Sequence, residues 1–396
     1  MKVLYLSQTG LLEPLGRSQV WAYLEALAAE HEITIVTLEK QKDFENTGEM
    51  AAWGERCAAA GVRWQPRRYR NRPRLVGAAL NLLGMFWCGV VAVADRRADL
   101  VHARSYLPAF VAMALRLAGG KPYIFDTRAL WVDELIAAGR LRPKGPLTGL
   151  LRWLERRCYR NAAAIVSLTE AAVPHMRETH GIDPHVDIAV VPTCVDIVRF
   201  RPPDAAPGAP VFGSVGTVLS GWFLLDWLTT FLKVVTGRRP EAAARIVTRD
   251  DPEAIGAALR SAGIDQARIS IGGVAPDEAP AVMAGLTAGV MFFESGLAKR
   301  ASCPTRMGEF LASGLPVVAN EGIGDVAGVI RKYDVGVIMT ENSPEAAAAA
   351  LDALDALLRD PELAARCRRA AEEQFALARG VETYDWLYRE VGGKRR

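Results

Sequence analysis

A segment in the second half of the chain combines residue types that hold phosphate groups. It reads KRASCPTRMGE over residues 299–309 and follows an apolar run at 289–293 that predicts a strand. Pro304 suits the first position of a helix, with Ser302 or Cys303 near the cap. A helix start presents free N–H groups and the positive end of the helix dipole to an anion. The sequence therefore predicts a diphosphate site at Lys299, Ser302, Cys303, Thr305 and Arg306.

Glu309 lies one turn further into the same predicted helix. Its carboxylate can accept hydrogen bonds from two hydroxyls of a ribose, while the cations and hydroxyls before it bind a diphosphate. A helix start whose glutamate only forms a salt bridge would share part of this pattern. The complete string favours a nucleotide-diphosphate ligand.

Two glycine-containing turns are further candidates for ligand contact. Gly213 and Gly216 in the string GSVGT would let the backbone approach a ligand, with Thr217 beside them, although a tight turn alone also uses glycine. Gly16, in the string GLLEPLGRSQ, is a candidate for close approach to a phosphate or sugar. A GxGxxG string is missing there, which argues against a simple NAD enzyme.

Short β-branched runs alternate with helical stretches along the chain, which predicts parallel βαβ units. Residues 201–210 read RPPDAAPGAP and predict a linker, because proline interrupts helices and central strands. We therefore predict an α/β protein with two Rossmann-like, doubly wound domains at 1–200 and 211–375. A final helix at 376–396 is expected to pack back toward the first domain. In such sheets ligands bind at the carboxyl ends of the strands, here in an interdomain cleft.

Composition narrows the class of protein. The 396 residues are 50% apolar and 23% charged, with a net charge of +3. The six cysteines form no CxxC pair, which argues against a disulfide scaffold or a cysteine zinc site and favours a reducing compartment. The apolar run ending at Leu6 is too short for a signal peptide, so a cytoplasmic location is expected. Asp250 and Asp251 are interpreted as a helix cap, and no metal is expected.

The basic residues concentrate in one stretch. Six arginines fall within Arg63–Arg74, interleaved with Trp64 and Tyr69, and the uncharged stretch Leu75–Ala94 follows. The arginines suit an anionic membrane surface, although a solvated loop would look the same. The uncharged stretch predicts a buried or interfacial helix more strongly than a membrane span. Nucleic acid is the least favoured partner, because the basic run is short.

The chain resembles the GT-B glycosyltransferases of family 4 over essentially its whole length. VPTCVD at 191–196, followed by Arg199 and Phe200, is similar to that family's PNGVD…RF junction. IGGV at 271–274 and the stretch Glu309–Val318 resemble further family motifs. The strings GLLEPLGRSQV, HARSY and FDTRALWVDE resemble a bacterial subgroup linked to surface-polysaccharide assembly.

The resemblance implies a retaining, metal-independent transfer of a sugar from a nucleotide-diphosphate donor to an acceptor hydroxyl. The acceptor would lie against the first domain, as a polyprenyl-diphosphate-linked or other glycan at the inner face of the cell membrane. Lys299, Arg306 and the helix start would stabilise the leaving diphosphate. Asp126 and Arg128 are candidates for orienting the acceptor or the donor sugar, or form a structural pair. Arg104 would contact phosphate or pair with Asp126.

The chain departs from the family pattern at three places. Ala301 stands where the family's first glutamate would contact the donor sugar, so the donor cannot be assigned. Residues 216–221 lack the arginine and lysine that often hold the diphosphate. Arg104 and Asp126 stand at positions where the family has histidine. Two alternatives therefore remain: a degraded GT-B protein that binds a nucleotide or a partner, and a sugar-nucleotide epimerase.

Overall fold

The computed structural model describes residues 1–203 and 208–393, except for the side chains of residues 74 and 75. The chain forms two compact units: unit 1 is Met1–Pro192 with Leu377–Arg396, and unit 2 is Thr193–Ala376. Residues 204–207 of the predicted linker and 394–396 of the predicted last helix lie outside the described residues.

The boundary between the units comes earlier than the predicted residue 200. The N–H of Val195 donates to the carbonyl of Phe375 at 2.7 Å, and Phe200 is buried in the core of unit 2. The segment that precedes the proline-rich stretch is therefore part of unit 2.

Unit 1 is built on a parallel sheet of seven strands. In chain order they are β1 (Lys2–Ser7), β2 (Glu32–Glu39), β3 (Arg63–Arg68), β4 (Leu100–Arg104), β5 (Tyr123–Asp126), β6 (Ala164–Ser167) and β7 (Asp187–Val190). Their order in the sheet is β3-β2-β1-β4-β5-β6-β7. The central strands are buried along their whole length, as expected for a parallel sheet covered on both faces.

Helices connect these strands. They are α1 (Pro14–Gly16), α2 (Ala22–Leu27), α3 (Gln41–Phe44), α4 (Thr47–Ala59), α5 (Arg74–Ala94), α6 (Tyr106–Leu117), α7 (Trp131–Ala137), α8 (Pro146–Asn161) and α9 (Val173–His180). A π-helical segment, Arg17–Trp21, joins α1 to α2. The uncharged stretch after the arginines thus forms α5, whose buried face packs on α6.

The edge strand β3 is an element that the sequence analysis missed. Its residues RWQPRR carry little apolar signal, and Pro66 is unusual within a strand. An edge position tolerates both, because one side of the strand makes no ladder hydrogen bonds. Half of the predicted basic stretch is therefore strand rather than loop. Arg74, at the end of that stretch, has no described side chain.

Unit 2 repeats the architecture with six strands. They are β8 (Val211–Val215), β9 (Ala243–Val247), β10 (Ile269–Gly272), β11 (Ala288–Met291), β12 (Val317–Ala319) and β13 (Gly336–Ile338), in the order β10-β9-β8-β11-β12-β13. In both units the first strand is flanked by the second and the fourth. The connections therefore reverse direction between β1 and β4, and between β8 and β11.

The helices of unit 2 cover its sheet. They are α10 (Leu225–Arg238), α11 (Pro252–Ser261), α12 (Ala279–Ala284), α13 (Thr305–Ala312), α14 (Val326–Tyr333), α15 (Pro344–Leu358) and α16 (Leu363–Gln374). The last helix, α17 (Leu377–Gly393), belongs to unit 1 and packs on α2. The two apolar cores of unit 2 lie on either side of its sheet.

Candidate functional site

The predicted diphosphate segment lies at the point in unit 2 where the strand order reverses. It leaves the carboxyl end of β11 next to β8, which is where ligands bind in open α/β sheets. A 3₁₀ turn, Leu297–Ala301, leads to α13, which begins at Thr305. Pro304 takes the cap position with an extended ψ of 118°, so the helix starts one residue later than predicted.

The cations of this segment differ in exposure: Lys299 is buried, Arg306 is half-buried and Arg300 is exposed. Lys299 is 7% exposed, and its ammonium lies 3.4 Å from the ring centroid of Trp222, which is close cation–π contact. Arg306 forms an ion pair with Glu309 one turn along α13. Burial raises the pKa of the Glu309 carboxyl, and Arg306 only partly opposes this rise. The structure therefore brings Lys299, Arg306 and Glu309 to one end of the sheet.

The remaining residues of the segment divide into two groups. Ser302 and Thr305 are half-buried beside the start of α13, where a hydroxyl can reach a ligand. Cys303 is tied into unit 2: Thr193 Oγ1 donates to its carbonyl at 3.0 Å, and the Thr193 N–H lies 3.4 Å from its Sγ. Cys303 therefore anchors the segment, which differs from the direct phosphate contact that the sequence predicts.

The two glycines after β8 have different roles. A Cβ on Gly213 would lie 2.3 Å from Leu286 Cδ1, so this buried glycine is required by packing and not by a ligand. Gly216 has a φ of +123°, and no atom lies within 4 Å of the place of a Cβ. With the exposed Thr217 it leaves open backbone at the strand end, and ligand contact at these two residues stays a prediction.

A carboxylate holds the loop that follows β8. Asp250 Oδ2 accepts the N–H of Val218 at 2.6 Å and the N–H of Leu219 at 2.8 Å. Only Asp251 caps α11, through the N–H of Glu253, so the interpretation of both aspartates as caps is half wrong. Asp250 already engages the N–H groups of Val218 and Leu219, so these two amides are not available to a ligand.

Among the residues that the structure describes, no group of three or more His, Cys, Asp or Glu side chains is arranged to hold a metal ion.

The corresponding edge of unit 1 carries Arg104 and Asp126, which the parallel register places side by side. Asp126 is fully buried. Its Oδ1 accepts from Arg128 at 3.2 Å, and its Oδ2 accepts from Arg104 at 3.1 Å and from the Tyr384 hydroxyl at 3.1 Å. Burial alone would raise the pKa of this carboxyl. Arg128, the hydrogen bond with His102 and Arg104 outweigh burial and hold the pKa well below its ordinary value.

His102 completes this cluster from inside the sheet. Its Nδ1 lies 2.7 Å from the Tyr388 hydroxyl, and its Nε2 lies 3.4 Å from Asp126 Oδ2. Burial lowers the pKa of His102, and its contact with Asp126 opposes this shift. Both oxygens of Asp126 are therefore occupied within unit 1. Of the two arrangements that the sequence allows for Asp126 and Arg128, the structure has the Asp–Arg pair. Asp126 positions Arg104 and Arg128.

Gly16 is also explained by packing. A Cβ there would lie 1.7 Å from the carbonyl oxygen of Gly10, so the chain itself fills the space expected for a ligand. The loop after β1 is held by buried Glu39, which accepts the N–H of Leu11 at 2.8 Å and that of Leu12 at 3.4 Å. Burial raises the pKa of Glu39. Glu39 in unit 1 thus holds its loop as Asp250 does in unit 2.

One residue at the edge of unit 1 has a strained backbone. Ser105 follows β4 with φ 73° and ψ 178°, a region that is essentially reserved for glycine. Its N–H donates to the carbonyl of Asp126 at 2.8 Å. Gly296 adopts a similar conformation after β11, with φ 131° and ψ −176°. Ser105 precedes α6 directly after β4, whereas Gly296 precedes the 3₁₀ turn five residues after Met291, the last residue of β11.

Comparisons with known proteins match this architecture and assign its class. Residues 16–194 match the model of the glycosyl transferase 4-like domain, and residues 246–374 match that of glycosyl transferases group 1. A search of curated protein sequences finds no match.

Among solved structures, sucrose-phosphate synthase from Thermosynechococcus elongatus is similar with a TM-score of 0.70 and 14% identity, covering 100% of both chains. HepE of Anabaena, in complex with UDP, has a TM-score of 0.69 and 14% identity over 98% of this chain and 100% of its own. WaaG, a glycosyltransferase involved in lipopolysaccharide biosynthesis, has a TM-score of 0.65 and 14% identity over 97% and 98%.

The fold is therefore GT-B, with two Rossmann-like units, as the sequence predicts. The chain belongs to the glycosyltransferases with a 4-like N-terminal domain and a group 1 C-terminal domain, and it is an enzyme of that transferase class.

Sequence reasoning missed several residues that shape these two edges. Trp222 follows Gly221 in an irregular loop, and an aromatic residue there was its one signal. Tyr384 and Tyr388 reach Asp126 and His102 from the last helix, more than 250 residues away in the chain. Nothing in the local pattern indicates such contacts.

Proposed function

We propose that this protein is a retaining, metal-independent glycosyltransferase that moves a sugar from a nucleotide-diphosphate sugar to a hydroxyl of a lipid-linked glycan. The reaction would take place at the cytoplasmic face of the cell membrane, in surface-polysaccharide assembly. The observation that carries the proposal is the grouping of Lys299, Arg306 and Glu309 at the strand-order reversal of unit 2.

The donor fits this grouping in chemical terms. Lys299 and the amides at the start of α13 supply positive charge for the diphosphate, and Ser302 and Thr305 supply hydroxyls. Glu309 would accept the ribose hydroxyls, exchanging part of its pairing with Arg306 for the ligand. HepE, a structural neighbour, is described in complexes with UDP and UDP-glucose, which supports a nucleotide-sugar donor for this chain.

The transfer needs charge stabilisation at the leaving group. The bond between the anomeric carbon and the diphosphate oxygen breaks, and its electron pair stays on the diphosphate. The acceptor oxygen bonds to the same face of the sugar, and its proton passes to the departing phosphate oxygen. Lys299 and the dipole of α13 face the charge that develops, so neither a metal nor a protein base is required.

The acceptor is proposed to bind unit 1. Arg104 and Arg128, held in place by Asp126, lie at the carboxyl edge of its sheet, and Arg104 is 7% exposed. The basic strand β3 and the apolar helix α5 in the same unit favour an acceptor carried by a membrane lipid. WaaG, another neighbour, is involved in lipopolysaccharide biosynthesis.

Thermal unfolding with UDP, GDP, ADP and CDP tests the donor site. One nucleotide is expected to stabilise the protein, by about 2.7 kcal/mol at about 100 times its Kd. Glu309→Ala should abolish this shift. Glu372→Ala, which breaks an Arg–Glu pair within α16 of the same unit, is the control and should keep it. A shift that persists in Glu309→Ala would place the nucleotide elsewhere.

Two measurements test the mechanism separately from the nucleotide site. NMR of the product should show the donor's anomeric configuration, and activity should survive EDTA. An inverted product or loss of activity with EDTA would contradict the proposed chemistry while leaving the nucleotide site intact.

A further inference from the structure

A cleft of about 340 Å³ opens in unit 1 between β3 and the first turns of α5. Its basic wall is formed by Arg67, Arg68 and Arg70, and Phe44 and Leu80 contribute apolar surface. The cleft lies apart from the Arg104–Asp126 cluster, since β1 and β2 separate β3 from β4 in the sheet.

The cleft carries excess positive charge. Of its three guanidiniums, Arg68 lies 3.8 Å from Glu45, which is the one carboxylate pairing with them that the described residues show. Arg67 Nε donates to the Cys88 thiol at 3.2 Å. Arginine favours a carboxylate or a phosphate as its ligand, because a guanidinium can donate two parallel hydrogen bonds to such an anion.

The backbone of the cleft is rigidly fixed. Asn81 on α5 is 4% exposed, accepts the N–H of Arg70 at 3.0 Å and donates to the Arg70 carbonyl at 2.8 Å. A Cβ on Gly77 would lie 2.6 Å from that carbonyl, so the loop and the helix are in close contact. The arginine that follows β3 is thereby held against the start of an apolar helix.

An apolar stripe runs along α5 from this cleft. We define the α5 stripe as five exposed residues on one helical face: Val76, Leu80, Leu83, Trp87 and Val91. Trp87 is 65% exposed and Leu83 is 64% exposed. The segment Val76–Ala94 has a mean hydropathy of 2.0, and by length and composition it is the helix among the described residues that could cross a membrane.

The other face of α5 is built into the fold. A Cβ on Gly89 would lie 2.5 Å from Leu115 Cδ1 on α6, and Met85 and Cys88 on α5 are buried. A helix packed in this way lies along a surface rather than across a bilayer. Its apolar face and the arginines at its start match the two layers of a membrane surface, hydrocarbon and phosphate.

We propose that the Arg67–Arg68–Arg70 cleft binds the phosphate group of an anionic bilayer lipid while the α5 stripe enters the acyl region. This inference rests on the proposed function, because the lipid site would hold the enzyme at the membrane that carries its acceptor. Three strand spacings of about 4.8 Å separate β3 from β4, so the lipid phosphate would lie about 14 Å from Arg104 at the same sheet edge. That distance suits an acceptor glycan whose lipid stays in the membrane.

Vesicle co-sedimentation tests the site. The full-length protein should bind vesicles of phosphatidylcholine with phosphatidylglycerol and not vesicles of phosphatidylcholine alone. Arg68→Gln with Arg70→Gln should weaken binding about 25-fold, since each arginine at an anionic surface contributes about fivefold. Arg359→Gln with Arg369→Gln removes the same charge from exposed sites of unit 2 and should leave binding unchanged.

The stripe has a matched control in the same unit. Trp87→Ser should weaken vesicle binding, whereas Trp386→Ser, at another exposed tryptophan, should not. If inorganic phosphate competes fully and Trp87→Ser has no effect, the cleft takes a free anion and the lipid proposal fails. Absence of binding by the unmodified protein also overturns it.

Nucleotide-induced thermal stabilisation should stay intact in all these variants. It reports the donor site in unit 2, so a failed membrane site and a failed donor site are distinguishable.

Discussion

The two units have the same strand order around their first strand, yet they treat charge at the carboxyl edge in opposite ways. In unit 1 the fifth strand ends in Asp126, which is buried against two arginines, a histidine and a tyrosine. In unit 2 the equivalent strand is followed by Asn320. Its side chain accepts the Phe293 N–H at 2.9 Å and donates to the Phe293 carbonyl at 2.8 Å.

This difference determines how each unit holds the cations at the carboxyl edge of its sheet. A strand-end aspartate neutralises arginines and locks them in place. A strand-end asparagine joins two loops through neutral hydrogen bonds and takes up no cation. At the carboxyl edge of unit 1 two arginines are therefore paired with a buried carboxylate, whereas in unit 2 Lys299 lies in cation–π contact with Trp222. The contrast makes separate predictions for stability and for catalysis.

The largest expected effect is on stability, in unit 1. Asp126→Asn should lower the free energy of unfolding by about 3–5 kcal/mol at pH 7, because it leaves two buried guanidiniums without their carboxylate. The folded-state pKa of Asp126 is depressed, so its stabilisation is present above the unfolded pKa of about 3.9 and is lost as pH falls below it. The difference between variant and unmodified protein should shrink accordingly in denaturant titrations at pH 3.

Asp95→Asn is the matched control for this change, because its pair with Arg97 is solvent-exposed. It should change stability by less than about 0.5 kcal/mol. Equal losses of stability in the two variants would show that burial does not set the contribution of Asp126.

The next effect is on catalysis, in unit 2. Lys299→Ala should lower kcat about 100-fold or more, the usual result of removing a charge-stabilising group, with little change in unfolding. Trp222→Leu should lower it about fivefold by releasing the ammonium from its cation–π contact. Lys332→Ala removes a lysine that lies over Tyr333 at 4.8 Å on α14, and it should retain full activity. A normal kcat in Lys299→Ala would show that the leaving group is stabilised elsewhere.

The smallest effect concerns the turns after β4 and β11. Ser105→Gly should raise the stability of unit 1 by about 1 kcal/mol, because glycine adopts this conformation without strain. Gly296→Ser should cost unit 2 about 1–3 kcal/mol for the same reason. Thermal unfolding of the two variants should show changes in stability of opposite sign. Two changes of the same sign would mean that backbone strain does not control these turns.

The sequence predicts most of the architecture because parallel strands are recognised by their apolar runs. The apolar run at 289–293 predicts β11 to within two residues, and the start of the helix after the SCPT string is predicted to within one residue. The edge strand β3 is missed since its arginines and proline fit an exposed edge and not a buried run. The residues of the site are harder to predict from the sequence. Lys299 and Glu309 lie in one recognisable string, whereas Trp222 and Tyr384 reach their partners only after the chain has folded.

The last helix has a consequence for how the protein is made. Tyr384 is 258 residues beyond Asp126 and Tyr388 is 286 residues beyond His102, and both are fully buried in unit 1. At about 5–20 residues per second, a ribosome needs roughly 13 to 50 s to make the chain between Asp126 and Tyr384. Unit 2 can fold during that interval, since its residues are contiguous. Synthesis of unit 1 therefore begins first and ends last. A nascent chain that stops before α17 leaves the charged centre of unit 1 open to water and to chaperones.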